Sequence, residues 1–283
     1  MMTCLRRSRA TRKAAAGFTL IELLAAVTIL MIIVWVMARI FSETDRAWNL
    51  GTGRANNNVE GRAALQMMTH DLQYAVADRL ITFYMGENRD ATVKPFGFDP
   101  IDELCCVSIQ NDSSDGNRAV TEVHYYMTES TNATGQGSGK YQLQRGIYTS
   151  AVSSNLTATL HCYHNRNWWK PRSAGGAGRP QGSQVIAENV AGLAFYYPDP
   201  DDKGQMLRAG EDEYDSADPL NNDELPDYVD VLLEVLNDRE AEQVAQMQET
   251  GLPDETIEEF VERNSRRYTT RVYFHNRHGY KDR

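Results

Sequence analysis

From Phe18 to Val36 the chain is apolar with a single charged exception, Glu22. A run like this constrains the backbone more than anything else in the sequence. In lipid every N–H and C=O must be satisfied inside the segment, and one continuous chain can do that only as a helix. The stretch 18–41 spans about 36 Å as helix, enough to cross a hydrocarbon core of about 30 Å. Five basic residues, Arg6, Arg7, Arg9, Arg12 and Lys13, lead into it. They predict a cytoplasmic N-terminus, with everything after the span delivered to the other side. Glu22 needs a partner, because a carboxylate at the centre of a membrane helix costs about 2.5–3.5 kcal/mol. A cut between Gly17 and Phe18 would supply one. The new α-amino group would lie one helical turn from Glu22, within reach of a neighbouring subunit's Glu22.

The order of these features, basic leader, Gly17, Phe18, Thr19, Leu20, Ile21, Glu22, resembles the type IV prepilin signature. In that family a membrane-embedded aspartic peptidase cuts after the Gly and methylates the new N-terminal Phe. The resemblance implies that residues 1–17 are a prepilin leader and that Glu22 acts in assembly as the fifth mature residue. A secretory signal peptide fits less well, since the apolar run is too long and no A-x-A site follows.

The chain carries a formal charge of −10 at pH 7, and removal of the five leader cations would take it to −15. An acidic body of this kind argues against nucleic-acid binding, which calls for a basic footprint. The roughly 240 residues beyond the span suffice for one exported domain with its own core. No second apolar run approaches membrane length, so a single-pass protein is expected. Cys4 would leave with the leader. In an oxidising compartment Cys162 is expected to bridge either Cys105 or Cys106, whose side chains point to opposite faces of a strand.

Residues 42–80 read as helix. Leu65, Met68, Leu72 and Val76 recur at helical spacing and form a stripe for core contact. Between span and stripe lie Gly51, Gly53 and Asn56 to Asn58, poor helix formers that predict a kink or a locally unwound stretch. Strand character marks 104–110, 121–128, 141–149, 185–198, 228–237 and 268–275. The expected fold class is α+β: a long N-terminal helix, its span at 18–41 and its exported half at 42–80, packed on antiparallel β-sheet within a domain over 81–283.

The body has its own resemblance. The pair Asp71-Leu72, Arg145, the series Val190, Gly192, Leu193 and Phe195, then Pro226 and Arg271 are similar to the J-type minor pseudopilins of type II secretion systems. Two insertions depart from that pattern, an acidic one at 199–224 and a helical one at 238–264. The second holds two amphipathic helices, read either as a surface for partners or as a cap over the sheet end.

The acidic insertion includes Asp199, Asp201, Asp202, Asp212 and Asp215. Carboxylates in Asp/Asn-rich loops can supply the hard oxygens that Ca²⁺ takes, and the resemblance makes such a site thinkable. The spacing is not that of an EF-hand, and a solvated, mobile acidic loop is the simpler expectation. Trp168 and Trp169, set among cations, read as either an interaction hot spot or a roof over the core. No nucleophile elbow, H-E-x-x-H or Walker loop is present in the sequence, and no enzyme activity or other cofactor is expected.

These readings converge on a structural subunit. The resemblance implies a minor pseudopilin of the periplasmic pseudopilus, placed at its tip and anchored in the bacterial inner membrane. Its partners would be I-type and K-type pseudopilins, the prepilin peptidase and the inner-membrane assembly platform. A minor pilin of a type IV pilus, for adhesion or DNA uptake, shares the whole N-terminal argument. A signal-anchored periplasmic enzyme is the alternative of another class.

Overall fold

The computed structural model describes residues 19–88, 101–111, 118–132, 135, 137–149, 166–170, 183–202 and 204–276. Gly17, Phe18 and Cys162 lie outside them. The chain divides into two compact units, Met1–Thr52 and Gly53–Arg283. Helix α1 (Leu20–Gln73) begins in the first and ends in the second. Its stretch Leu20–Trp48 has a mean hydropathy of 2.7, and none of it is buried within the protein. Leu20, Met31, Trp35 and Phe41 each stand more than half exposed, a surface suited to lipid rather than water.

The local unwinding predicted near Gly51 and Asn56 is not found: the backbone is helical through 51–58. Propensity penalties are small per residue, and propagating a helix already nucleated on both sides costs far less than starting one.

In the second unit two antiparallel sheets enclose the core. The first joins β1 (Ala75–Val76), β2 (Tyr84–Glu87), β3 (Asp102–Asn111), β4 (Arg118–Thr131), β5 (Gly137–Thr149) and β6 (Gln184–Ala187). The second contains β7 (Val190–Pro198) and β8 (Met206–Arg208). The apolar run 185–198, which reads as one strand, is thus divided between sheets. Asn189 takes a φ of 53°, the left-handed region that Asn tolerates better than most residues, and the chain turns there. Strand β9 (Tyr214–Asp215) closes the edge of the first sheet beside β2. Strand β10 (Tyr228–Val235) pairs with β7.

Two helices follow, α2 (Asp238–Glu249) and α3 (Asp254–Asn264). Asn237 caps α2 in a capping box with Glu240, which answers two otherwise orphan N–H groups. Ala241, Val244, Ile257 and Val261 enter the main core. Strand β11 (Arg266–Tyr273) then completes the second sheet in the order β11-β10-β7-β8.

The stripe on α1 does what its spacing predicts as far as Leu72, but the helix read over 42–80 stops at Gln73, and Val76 lies half-buried in β1 instead. Ala64, Leu65, Met68 and Leu72 are buried against Leu104, Val123, Leu143, Val231 and Leu233 from the two sheets. At about 1.5–3 kcal/mol for each large apolar side chain, this face supplies much of the attachment. Gly61 lets α1 approach β11 closely, since a Cβ there would lie 2.7 Å from the Tyr268 ring.

One polar joint sits inside this apolar contact. Asp71, 1 % exposed, receives Arg145 in bidentate fashion, Nε to Oδ2 at 2.8 Å and Nη2 to Oδ1 at 3.1 Å. The Tyr125 hydroxyl donates to Oδ2 at 2.5 Å. Tyr125 and Arg145 are cross-strand partners on β4 and β5, so the register of that pair aims both donors at the helix. Burial first, and then the Asp71 charge, push the Tyr125 hydroxyl well above its ordinary pKa, which keeps it a donor.

Removing one member of such a pair leaves a buried charge uncompensated. Arg145→Ala is expected to lower stability by about 3–5 kcal/mol, whereas the joint replacement Asp71→Leu with Arg145→Met should cost far less. Denaturant titration in detergent, followed by near-UV circular dichroism, measures both. A loss below about 1 kcal/mol for Arg145→Ala would show that the joint does not hold the helix.

Candidate functional site

Glu22 lies in the first turn of α1. Its backbone N–H is held by Thr19, through the carbonyl at 3.1 Å and the hydroxyl at 3.4 Å. Its side chain is exposed on an otherwise apolar surface.

The acidic insertion is not the mobile loop that its composition suggests. Strand β8 pairs with β7, placing Arg208 opposite Tyr196, and β9 pairs with β2. Ala209, Tyr214 and Leu225 are buried in the main core. The Ser216 hydroxyl accepts the Phe83 N–H at 2.9 Å, and Arg166 pairs with Asp223. The insertion carries apolar anchors among its carboxylates, and the anchors decide its position.

Most of the carboxylates read as calcium candidates serve their own turns. Asp199 accepts from the N–H of Asp201 at 2.8 Å, Asp202 from that of Gly204 at 3.1 Å, and Asp215 from that of Ala217 at 2.8 Å. Asp212 and Asp201 are exposed. Among the described residues no three His, Cys, Asp or Glu side chains converge on a common point.

The group that ties this region to the body is Asp102, fully buried at the start of β3. Its Oδ2 accepts the Phe195 N–H from β7 at 2.8 Å, and its Oδ1 accepts Arg208 Nη2 from β8 at 3.2 Å. Gly210 comes so close that a Cβ there would meet Asp102 Oδ1 at 2.2 Å. One carboxylate therefore joins the first sheet, the second sheet and the insertion. Sequence reading passed over it because an Asp opening a strand carries no local signal.

The adjacent cysteines face opposite ways. Cys106 lies in the main core, and burial pushes its thiol well up from the ordinary range. Cys105 lies on the other face, in a small cluster with Tyr84, Val107, Trp168 and Trp169, its Sγ 3.4 Å from His124 Nδ1. The proposed bridge to Cys162 falls outside the described residues. Trp168 and Trp169 roof this face and are not a free hot spot. Trp169 stacks on Tyr84 at 3.7 Å between centroids and Trp168 meets His124 edge-on at 4.9 Å.

Residues 12–38 match the family model described as the prokaryotic N-terminal methylation motif. No curated protein matches the chain. The motif is a prepilin-type leader, the mark of type IV pilin-like proteins. It implies processing by a prepilin peptidase and assembly with other pilins. With the apolar helix it places the chain among membrane-anchored proteins. The helix and the antiparallel sheets of the body make the α+β arrangement of a pilin-like fold.

The Asp102 joint has a pH signature. Burial raises its pKa from 3.8 to about 6, against the opposing effects of the Phe195 N–H and the Arg208 charge. A carboxyl whose folded pKa exceeds its unfolded one binds its proton more tightly when folded. Its contribution is therefore fully present below pH 4 and is lost as pH rises through 6. A shift of this size is on the order of 3 kcal/mol. Asp102→Asn cannot titrate, so the fall in unfolding free energy between pH 4 and 7 should be shallower in the variant. Parallel profiles from denaturant titration would overturn that assignment.

Proposed function

We propose that the chain is a minor pseudopilin of a type II secretion system, a structural subunit at the tip of the periplasmic pseudopilus. The observation that carries this reading is the sequence Gly17, Phe18 and Glu22 at the start of an apolar helix without protein partners. Cleavage between Gly17 and Phe18 removes the basic leader and creates a cation inside the membrane. A neighbour's amine and Glu22 then neutralise one another, and the cost of each in lipid becomes a drive to associate. The cytoplasmic side holds the N-terminus, the body lies in the periplasm, and the work is assembly rather than catalysis.

The J-type assignment is supported by the body. Asp71 and Arg145, two separate marks of the resemblance, meet as the bidentate joint between helix and sheet. Arg271, a third, is bidentate to Asp230 on the neighbouring strand. I-type and K-type pseudopilins and the inner-membrane platform are the partners this assignment names.

Native protein purified from membranes should begin at methylated Phe18, and Gly17→Arg should keep Met1. Glu22→Val should be cleaved normally yet recovered in sheared or cross-linked filaments at least about tenfold less, a loss of about 1.4 kcal/mol or more. Deleting the gene should trap folded exoproteins in the periplasm, whereas loss of twitching or DNA uptake with normal secretion would favour a type IV pilus. A native chain starting at Met1 in wild-type cells would end the proposal altogether.

A further inference from the structure

Two opposite charges bracket the apolar run of α1, Glu22 at one end and Arg39 at the other. The helical rise between them is about 25 Å, whereas a hydrocarbon core is about 30 Å thick. In a bilayer of that thickness their backbones cannot both reach a headgroup layer, and tilting the helix widens the shortfall. The conformation of Arg39 adds to it. Its guanidinium turns back along the helix to 6.0 Å from the centroid of the Trp35 ring, one turn nearer Glu22, as helical side chains lean toward the N-terminus. Among the described residues Arg39 forms no ion pair, not even with Glu43 one turn further on. Trp35 is 64 % exposed, and an indole at the end of an apolar run is the side chain that settles at a membrane interface.

We propose that Arg39 and Trp35 form a binding site for a phospholipid headgroup, with the phosphate on the guanidinium, and that this anchor holds Glu22 inside the hydrocarbon. The inference rests on the membrane-anchored, pilin-like reading above and deepens it by saying why the acid stays in lipid. One of the two charges has to be submerged, and the chemistry of the headgroups decides which. Phosphates attract a guanidinium, which can bind them through two parallel hydrogen bonds, and they repel a carboxylate. With Arg39 at phosphate level, Glu22 lies about 5 Å within the core. Raising Glu22 to water would pull Arg39 off its phosphate, so a counter-charge within the membrane is the relief that remains. Without Arg39 the next charge is Glu43, about 6 Å further along, and the helix is free to slide until Glu22 is solvated.

The test uses the full chain as purified from membranes, reconstituted at high dilution into vesicles of phosphatidylethanolamine and phosphatidylglycerol. Acyl chains brominated near the headgroup or near the bilayer centre quench an indole at the matching depth. Trp35 emission is read against a matching Trp35→Phe blank. Bromines near the headgroup should quench Trp35 the more strongly in the wild type. In Arg39→Leu the stronger quenching should pass to the central bromines, as the ring sinks by up to about 6 Å. An unchanged depth in Arg39→Leu would overturn the anchor and leave the membrane reading intact. Rotational-echo NMR between isotopically labelled arginine Cζ and lipid phosphorus checks the contact itself, and part of the dephasing should be lost in Arg39→Leu. Equal dephasing in the two chains would overturn the phosphate site. No quenching of Trp35 by either lipid would remove the membrane reading as well.

Discussion

The body of this protein is organised around a carboxylate that has no access to water. Asp71 sits on the apolar face of α1, and Arg145 and Tyr125 reach it from adjacent strands. A buried ion pair adds little net stability over a well-packed apolar contact, because both charges lose their hydration. What it adds is register. The stripe Ala64, Leu65, Met68 and Leu72 repeats every three or four residues, so an apolar face alone would pack almost as well after sliding by one turn. The bidentate geometry permits a single position, and the missing side chain at Gly61 permits a single distance from Tyr268.

Asp102 repeats this logic at the start of β3. It is again an acid on an element's inward side, held by an Arg from a distant segment and by a backbone N–H. The difference lies in how well it is compensated. Asp71 has two charge-assisted bonds and a hydroxyl, whereas Asp102 has one Arg contact at 3.2 Å, and its pKa climbs to about 6. The joint between helix and sheet is therefore the firmer one. The joint to the acidic insertion is the one that responds to pH.

What could be read in advance followed the range of the interaction. Helical periodicity located the α1 stripe, and β-branched and aromatic runs located β3, β4, β5, β10 and β11 to within a few residues, because both signals are local. Sheet membership is not local. The run 185–198 gave no sign that Asn189 would turn it from one sheet to the other, since that choice depends on partners some forty residues away on either side. The acidic insertion misled for a related reason: its many carboxylates dominate the composition, while four or five apolar and aromatic residues determine where it goes. Asp71 and Arg145 were visible one by one, but 74 residues separate them, and only the fold shows that they form a pair.

The distribution of charge then separates the surfaces by what they can meet. Inside the body, Asp71 and Asp102 are each matched by an arginine. Outside, the helical insertion mixes answered and exposed acids, Glu242 meeting Lys140 and Glu259 meeting Arg263 while Glu255 is exposed, and whatever repulsion of acidic bodies remains there weakens as salt shortens the Debye length. The β10–β11 face lacks that repulsion, because its acids are already bound by Arg267 and Arg271. Along the apolar helix, by contrast, Glu22 has no counter-charge among the described residues, a deficit that a bilayer would make costly.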